Sequence, residues 1–336
     1  MGSIKVAVLG AGSWGTALSN LLAQKGVNTV LWGRDAAVIE EINRERENKR
    51  YLPGVKISHE LIANADLEFA LKDANFLVAA VPSQAFRDLL QKIKPYFKPE
   101  QILVNTAKGI EEGSLLRMSA VFTEVLPEYR DNYTILSGPS HAEEVGRGIP
   151  TAIVVSGYSS EKLQEVQELF STEYFRVYTN DDLTGVELGG SLKNIIAIAS
   201  GICTGLGLGD NTRAALVTRG LIEITRLGIK LGARKETFMG LSGLGDLFVT
   251  AGSRHSRNYK AGILIGEGKS LEETQKEINM VVEGIRTTRA AYQLAKRLGV
   301  EMPITEALYK VLFTGLSPRE GLFGLMTRAK KEELNF

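Results

Sequence analysis

Three glycines at a fixed spacing near the start of the chain constrain the fold more than any other feature. The apolar run Ile4–Leu9 leads directly into residues 10–15, GAGSWG, and a helical pattern follows. In a strand–turn–helix unit, Gly10 permits the tight turn, Gly12 lets the backbone approach a pyrophosphate, and Gly15 lets the helix pack on the strand. The pyrophosphate would bind at the positive end of the helix dipole. The stretch therefore predicts a dinucleotide-binding site.

The order of strand-like and helical segments divides the chain into two parts. Apolar runs typical of buried parallel strands alternate with helical patterns as far as about residue 180, and the sequence is mainly helical beyond Asp181. We therefore predict an α/β protein with an N-terminal Rossmann-type doubly wound sheet, residues 1–189, and an all-helical second domain, residues 190–336. The expected boundary is Gly189-Gly190. A length of 336 residues fits two domains.

The charge balance excludes several classes of partner. The chain has 40 basic and 39 acidic residues, so no overall positive field recruits nucleic acid or anionic membranes. No run of about 18 apolar residues indicates a membrane span, and no secretory leader is expected. The oligomeric state stays open, with a homodimer as one option.

Cysteine and histidine usage indicates a cytoplasmic protein that binds no metal. The single cysteine, Cys203, cannot form an internal disulfide and lies in an apolar run, so we expect it in the core. The three histidines, His59, His141 and His255, are scattered without the spacing of metal ligands.

The end of the second strand bears on the choice of dinucleotide. The pattern asks for an acidic residue on the ribose, whereas the chain offers Gly33-Arg34-Asp35. A small residue followed by arginine leaves room for a 2′-phosphate and supplies a cation. The sequence thus favours NADP(H), with NAD(H) tolerated. Two alternatives remain: Asp35 turns toward a ribose, or Arg34 is only a solvated charge.

Two residues of the second half are candidates for acid/base chemistry. Lys193 is a lone lysine in an otherwise apolar helical stretch, so it either extends its amine to water or lies in a cleft where burial lowers its pKa. Asp246 directly follows the glycine-rich stretch 240–245, whose backbone we expect to be flexible. It could accept a hydrogen bond from substrate, orient Lys193, or be an ordinary turn residue.

Two further stretches have the composition of anion sites or helix starts. Ser256, Arg257 and Asn258 precede a helix and combine hydroxyl, guanidinium and amide donors, which suits a phosphorylated substrate. Glu283 precedes another helix, which it could cap, or it could reach the adenosine end of a cofactor. Ser140 and Glu143 have the spacing of a capping box.

Taken together, these motifs resemble one family, the bacterial NAD(P)-dependent sn-glycerol-3-phosphate dehydrogenases. The likeness spans nearly the whole chain. It is carried by GAGSWG at 10–15, Val81-Pro82-Ser83, Lys108-Gly109, LSGPSHAEEV at 136–145, GGSLKNIIA at 189–197, GLGD at 243–246, HSRN at 255–258 and VVEG at 281–284. Several family members have histidine beside the arginine after the second strand, where this chain has Gly33.

The resemblance implies a 6-phosphogluconate dehydrogenase-like fold and an enzyme that interconverts dihydroxyacetone phosphate and sn-glycerol 3-phosphate for phospholipid synthesis. It places the proton donor and acceptor on Lys193. The implied substrate contacts are Lys108, Gly138, Ser140, Lys193, Asp246, Ser256, Arg257 and Asn258. With the glycine turn, the expected cofactor contacts are Gly10, Gly12, Ser13, Trp14, Gly15, Arg34, Lys108, Ala142, Arg257, Val281 and Glu283.

Two other functions are compatible with the residues. A related 3-hydroxy acid dehydrogenase would share the architecture but would prefer a carboxylate to a phosphate. A non-catalytic NADPH-sensing module would bind the nucleotide, but it would give Lys193, Asp246 and the cluster at 256–258 no task.

Overall fold

The computed structural model describes residues 4–330 and 332–333, which form two compact units. Unit 1 contains the residues up to Ala107 together with Met118–Leu183. Unit 2 contains Lys108–Arg117 and the chain from Thr184 onward. A segment that lies between two elements of unit 1 in the sequence therefore belongs to unit 2, which no local pattern had indicated.

Unit 1 is a doubly wound α/β sheet, as predicted. Its strands and helices are β1 (Lys5–Leu9), α1 (Ser13–Gln24), β2 (Asn28–Trp32), α2 (Ala36–Glu45), β3 (Ile62–Asn64), α3 (Leu67–Leu71), β4 (Phe76–Ala79), α4 (Phe86–Ile93), β5 (Ile102–Asn105), α5 (Met118–Val125), β6 (Tyr133–Ser137), α6 (Ala142–Val145), β7 (Thr151–Gly157), α7 (Ser160–Phe170) and β8 (Phe175–Thr179). The strand order is β3-β2-β1-β4-β5-β6-β7-β8. All neighbours are parallel except β6 and β7.

Apolar periodicity explains these elements. Every residue of β4 is buried, which fits a central strand covered by helices on both faces. The buried positions of α4 are Phe86, Leu89, Leu90 and Ile93, one face of a helix. The order of the first six strands is that of dinucleotide-binding folds, in which successive strands are added on one side of β1 as far as β3 and on its other side from β4 onward. Ligands of such sheets bind at the carboxyl ends of these strands.

Unit 2 is helical. Its helices are α8 (Leu183–Gly205), α9 (Asp210–Lys230), α10 (Asp246–Gly252), α11 (Arg257–Gly266), α12 (Leu271–Ile278), α13 (Glu283–Leu298), α14 (Pro303–Phe313) and α15 (Pro318–Met326). Among the described helices, α8 alone is long and apolar enough to cross a membrane, and its apolar window is entirely buried within the protein. Its composition is therefore that of a central core helix. Cys203 lies in this core, as expected.

The boundary expected at Gly189-Gly190 falls inside α8 rather than between two elements. A Cβ at Gly189 would lie 2.6 Å from the carbonyl oxygen of Ser242. The glycine is thus explained by close packing of a neighbouring backbone, and the division of the chain lies before Thr184.

Close packing of α8 on α11 depends on glycines spaced one turn apart on each helix. A Cβ at Gly201 would lie 2.1 Å from the carbonyl oxygen of Tyr259, and one at Gly262 would lie 2.0 Å from that of Ile198. Both distances are far inside van der Waals contact with backbone, which cannot rotate away. The two helices must therefore separate if either glycine gains a side chain.

We expect Gly201→Ala to lower the free energy of unfolding by at least about 1–3 kcal/mol, because overpacking forces backbone shifts. The midpoint of urea denaturation measures the loss. Gly324→Ala is the matched control, since Gly324 is also helical and has no atom within 4 Å of the added Cβ. The control should gain about 0.5–1 kcal/mol from helix propensity. Equal midpoints for the two variants would contradict this account of the packing.

Candidate functional site

The glycine turn of unit 1 has the form of a phosphate cradle. Gly10 has φ +131°, which disfavours other residues, and a Cβ at Gly15 would lie 1.9 Å from the carbonyl oxygen of Gly10. Gly12 is the N-cap of α1, so no side chain caps this end of the helix. The space beside it is open, because no atom lies within 4 Å of the position that a Cβ would take there. The N–H groups of Ser13 and Trp14 open α1, so a pyrophosphate fits above them.

Asp35 and Arg34 take different roles after β2. One carboxylate oxygen of Asp35 accepts hydrogen bonds from the N–H groups of Ala37 (3.1 Å) and Val38 (3.4 Å), which caps α2. The other oxygen pairs with Arg50 at 3.0 Å. The Arg34 side chain is exposed at the carboxyl end of β2. The contacts of Asp35 thus favour a structural role over one on the ribose.

Gly138, Ser140 and Ala142 follow the end of β6. Gly138 has φ +128°, and its carbonyl oxygen accepts a hydrogen bond from the Ser140 hydroxyl at 2.9 Å. The capping box predicted from Ser140 and Glu143 is wrong, because α6 begins at Ala142 with His141 as its N-cap. The serine hydroxyl is directed to the Gly138 turn instead. The buried Ala142 lies on α6, which packs against α1.

Unit 2 contains a buried cluster of two lysines and one carboxylate. The Lys193 ammonium donates to Asp246 Oδ1 at 2.5 Å, and the Lys108 ammonium donates to Asp246 Oδ2 at 2.7 Å. Lys193 is 7% exposed and Asp246 is 1% exposed, whereas Lys108 is partly open. The snorkelling alternative for Lys193 is excluded, and Asp246 orients it. Both oxygens of one carboxylate are thus shared by two cations.

The surroundings shift the pKa values of this cluster. The pKa of Lys193 is lowered to about 8, mainly by burial, with the Lys108 ammonium contributing to the lowering and the Asp246 carboxylate opposing it. Burial alone would raise the pKa of Asp246, but the Lys108 and Lys193 ammonium groups outweigh it and hold that pKa below its usual value. Lys193 can therefore both give and take a proton near neutral pH.

The backbone that carries Asp246 is not a flexible loop, contrary to our expectation. Leu241–Gly245 form one turn of π-helix that continues into α10. Its residue Ser242 lies against Gly189 of α8, close enough that a Cβ there would clash. Single π-turns are frequent at functional sites. Asp246 is therefore held by packing on the helix that bears Lys193.

The candidate anion cluster begins α11. The Ser256 hydroxyl oxygen accepts from the N–H of Tyr259 at 3.2 Å and caps the helix. Arg257 donates to the carbonyl oxygen of Val281 at 3.0 Å. Asn258 accepts from the N–H of Gly284 at 2.9 Å. The structure thus brings two groups of expected ligand contacts together, at 256–258 and at 281–283. Glu283 begins α13 without capping it.

Two residues of the site were missed in the sequence. The Thr250 hydroxyl accepts a hydrogen bond from the Lys193 ammonium at 2.6 Å. It lies one turn beyond Asp246 on α10, so helical spacing could have indicated it. Asn194 accepts from the Asn258 amide at 2.9 Å and joins the anion cluster to α8. The sequence did carry a signal for Asn194, since it is a second polar residue next to Lys193 in an otherwise apolar helix.

Within the described part of the chain, no group of three His, Cys, Asp or Glu side chains is arranged to hold a metal ion. The described residues do bring together one buried ammonium with a lowered pKa, a paired carboxylate, and an arginine–amide cluster.

Comparison with known proteins gives consistent matches over the chain. Residues 5–163 match the family model for the N-terminus of NAD-dependent glycerol-3-phosphate dehydrogenase, and residues 182–322 match the model for its C-terminus. The chain is 96% identical to glycerol-3-phosphate dehydrogenase (NAD(P)+) of Carboxydothermus hydrogenoformans, over 100% of both chains. It is 57% identical to the same enzyme of Pelotomaculum thermopropionicum, over 98% of this chain and 95% of that one.

A solved structure shows the same fold. Glycerol-3-phosphate dehydrogenase from Coxiella burnetii is 39% identical, with a TM-score of 0.92 over 97% of this chain and 99% of that one. The predicted architecture is therefore confirmed by topology and by likeness to a solved protein.

Proposed function

Since the chain belongs to the NAD-dependent glycerol-3-phosphate dehydrogenase family, we propose that it reduces dihydroxyacetone phosphate to sn-glycerol 3-phosphate reversibly with NAD(P)H. The family predicted from the sequence is thus confirmed. The observation that carries the proposal is the buried Lys193–Asp246–Lys108 cluster, which supplies a proton donor near neutral pH. The product, sn-glycerol 3-phosphate, would supply the glycerol backbone of phospholipids.

The dinucleotide belongs on unit 1. The glycine turn fits a pyrophosphate, and its expected contacts are Gly10, Gly12, Ser13, Trp14 and Gly15. When bound, the reduced nicotinamide would supply a hydride to C2 of dihydroxyacetone phosphate. The protein's own task is to hold the substrate and to protonate the C2 oxygen.

Lys193 donates that proton. Two of its three N–H donors are held by Asp246 and Thr250, which aims the ammonium and leaves one donor for the substrate oxygen. The Asp246 carboxylate balances the positive charge of the Lys193 ammonium before the proton is transferred to the substrate. Lys108, on the other carboxylate oxygen, donates a hydrogen bond to the substrate and polarises its carbonyl.

The cluster at 256–258 holds the phosphate. Arg257 supplies a guanidinium fork, and Asn258 keeps one amide N–H after its bond to Asn194. The N-terminus of α11 adds its dipole. Binding the phosphate far from the reacting carbon fixes the position of C2 relative to Lys193. Gly138 and Ser140 remain proposed substrate contacts, and Ala142, Val281 and Glu283 remain proposed cofactor contacts.

One assay separates this function from the two alternatives. We expect oxidation of NADPH, followed at 340 nm, to depend on dihydroxyacetone phosphate and not on 3-oxo acids. Preference for a 3-oxo acid would indicate the related dehydrogenase. Nucleotide binding without turnover of either substrate would indicate a sensing module. The names of the relatives favour neither alternative. Homodimer assembly and a cytoplasmic location stay predictions.

The pH dependence should reflect Lys193. Because the reaction needs the protonated amine and its pKa is about 8, we expect kcat/KM for reduction to be level from pH 6 to 7.5. Above the pKa it should fall about tenfold per pH unit. Steady-state rates at saturating NADPH measure this profile. A profile that stays level through pH 9 would contradict the proposed role.

We further propose that NADPH is the preferred cofactor. Asp35 is occupied by its cap and by Arg50, and Arg34 and Arg50 place two cations near the end of β2. A charge-assisted hydrogen bond is worth about 1.5–3 kcal/mol, so Arg34→Gln should raise KM for NADPH about 10- to 100-fold. KM for NADH should change less than about threefold, since NADH lacks the 2′-phosphate.

The control for this change is Arg44→Gln, which alters an exposed arginine on α2. This control should leave KM for NADPH and KM for NADH unchanged. Equal increases of KM for NADPH and NADH in Arg34→Gln would rule out recognition of a 2′-phosphate by Arg34.

A further inference from the structure

The segment Lys108–Arg117 is bound to α8 at both of its ends. Near its start, the Gly109 carbonyl oxygen accepts from the Ser191 hydroxyl at 3.2 Å. At its end, the Arg117 guanidinium pairs with the Glu187 carboxylate. Glu187 and Ser191 lie one turn apart on α8 and so share a face of the helix that carries Lys193.

The segment is a closed loop and not an open linker. Ile110 and Arg117 form an antiparallel bridge, and the N–H of Glu111 donates to the Leu116 carbonyl oxygen at 2.9 Å. Ile110 is fully buried in the core of unit 2. These bonds join the two ends of the segment, so Arg117 is tied to the residues that directly follow Lys108.

Glu187 is unusual for a charged residue, since it is only 3% exposed while Arg117 keeps a quarter of its side chain in solvent. A carboxylate that is buried without a cation strongly destabilises the folded state. The guanidinium of Arg117 thus helps to make this burial tolerable, and Glu187 in return fixes the end of the loop.

We propose that the Arg117–Glu187 ion pair is a positioning pair, which holds the loop on α8 so that the Lys108 ammonium stays on Asp246. The inference rests on the proposed function, because it assigns Lys108 and Asp246 to one reaction. Neither Arg117 nor Glu187 touches the substrate. The pair acts through the placement of Lys108 relative to Lys193.

The proposal predicts two effects of loosening the pair. First, substrate loses its contact with Lys108, so KM for dihydroxyacetone phosphate rises. Second, Lys193 loses a nearby positive charge. The Lys108 ammonium adds to the lowering of the Lys193 pKa that burial causes, so that pKa should rise when Lys108 moves away. The alkaline limb of the rate profile then moves to higher pH.

The test uses Glu187→Gln, which keeps the side-chain shape and removes the charge. We expect kcat/KM to fall about 10- to 100-fold, as small misplacements of catalytic groups do. The pH at half-maximal kcat/KM should rise. Arg117→Lys keeps the charge without the guanidinium fork and should show the same changes in smaller measure. Glu124→Gln is the matched control, because it breaks an Arg–Glu pair with Arg87 in unit 1.

A readout independent of turnover separates this inference from the proposed function. The pH dependence of Lys193 acetylation by acetic anhydride, quantified by peptide mass spectrometry, reports the pKa of that amine directly. A raised pKa in Glu187→Gln supports the pair even if dihydroxyacetone phosphate is not the substrate. An unchanged pKa with lowered thermal stability would assign the pair a merely structural role and overturn the proposal. So would wild-type kcat/KM and an unchanged pKa.

Discussion

Lys193→Ala should lower kcat for dihydroxyacetone phosphate reduction by about 10²–10⁴, the range for loss of a general acid. The protein should still fold, because Asp246 keeps Lys108 as a partner and no buried charge is left alone. The dissociation constant of NADPH should be unchanged, since unit 1 carries the glycine turn. Steady-state kinetics and fluorescence titration of NADPH measure the two quantities.

The control for Lys193→Ala is Lys276→Ala, on the exposed part of α12. It removes a lysine without entering the cluster and should keep kcat within about twofold, as surface changes usually do. If Lys193→Ala also retained near-normal turnover, another group would have to protonate the substrate, and the proposed mechanism would fail.

Asp246→Asn should affect both stability and activity. The change leaves Lys193 and Lys108 as two ammonium groups without their carboxylate in a buried site. Breaking a buried ion pair in this way costs about 3–5 kcal/mol in the free energy of unfolding. Lys193 can avoid part of that cost by losing its proton, so the variant should lack a proton donor at pH 7. We expect kcat/KM to fall at least about 10²-fold.

A double variant identifies the cause of the instability. Lys108→Met added to Asp246→Asn removes one of the two cations, so the urea midpoint should recover in part while activity stays low. The loss in the single variant should also be smaller at pH 9 than at pH 7, because at pH 9 Lys193 is mostly uncharged in the wild type as well and no longer gains from its pairing with Asp246. A single variant with wild-type stability at pH 7 would show that the two cations do not depend on Asp246.

Local patterns were sufficient for the framework of the protein. The glycine turn, the buried runs of β4 and β5 and the helical periods after Asp181 indicated the two-part architecture, since each depends on residues close in the sequence. The short edge strand β3 was not predicted, because three residues carry too little periodicity. The capping box at Ser140 failed because the chain turns at Gly138 before the helix begins.

The sequence by itself determined the sheet, the glycine cradle, the family and the choice of Lys193 as the amine to consider. Only the tertiary structure decided that Lys193 and Lys108, which precede Asp246 by 53 and 138 positions respectively, share its carboxylate. It also decided that Asp35 is a cap, that Thr250 faces Lys193, and that the loop 108–117 belongs to unit 2. The physical reason is that propensity and periodicity act between near neighbours. Which buried charges meet depends instead on how distant helices pack, and glycines such as Gly189 permit that packing without marking its partner.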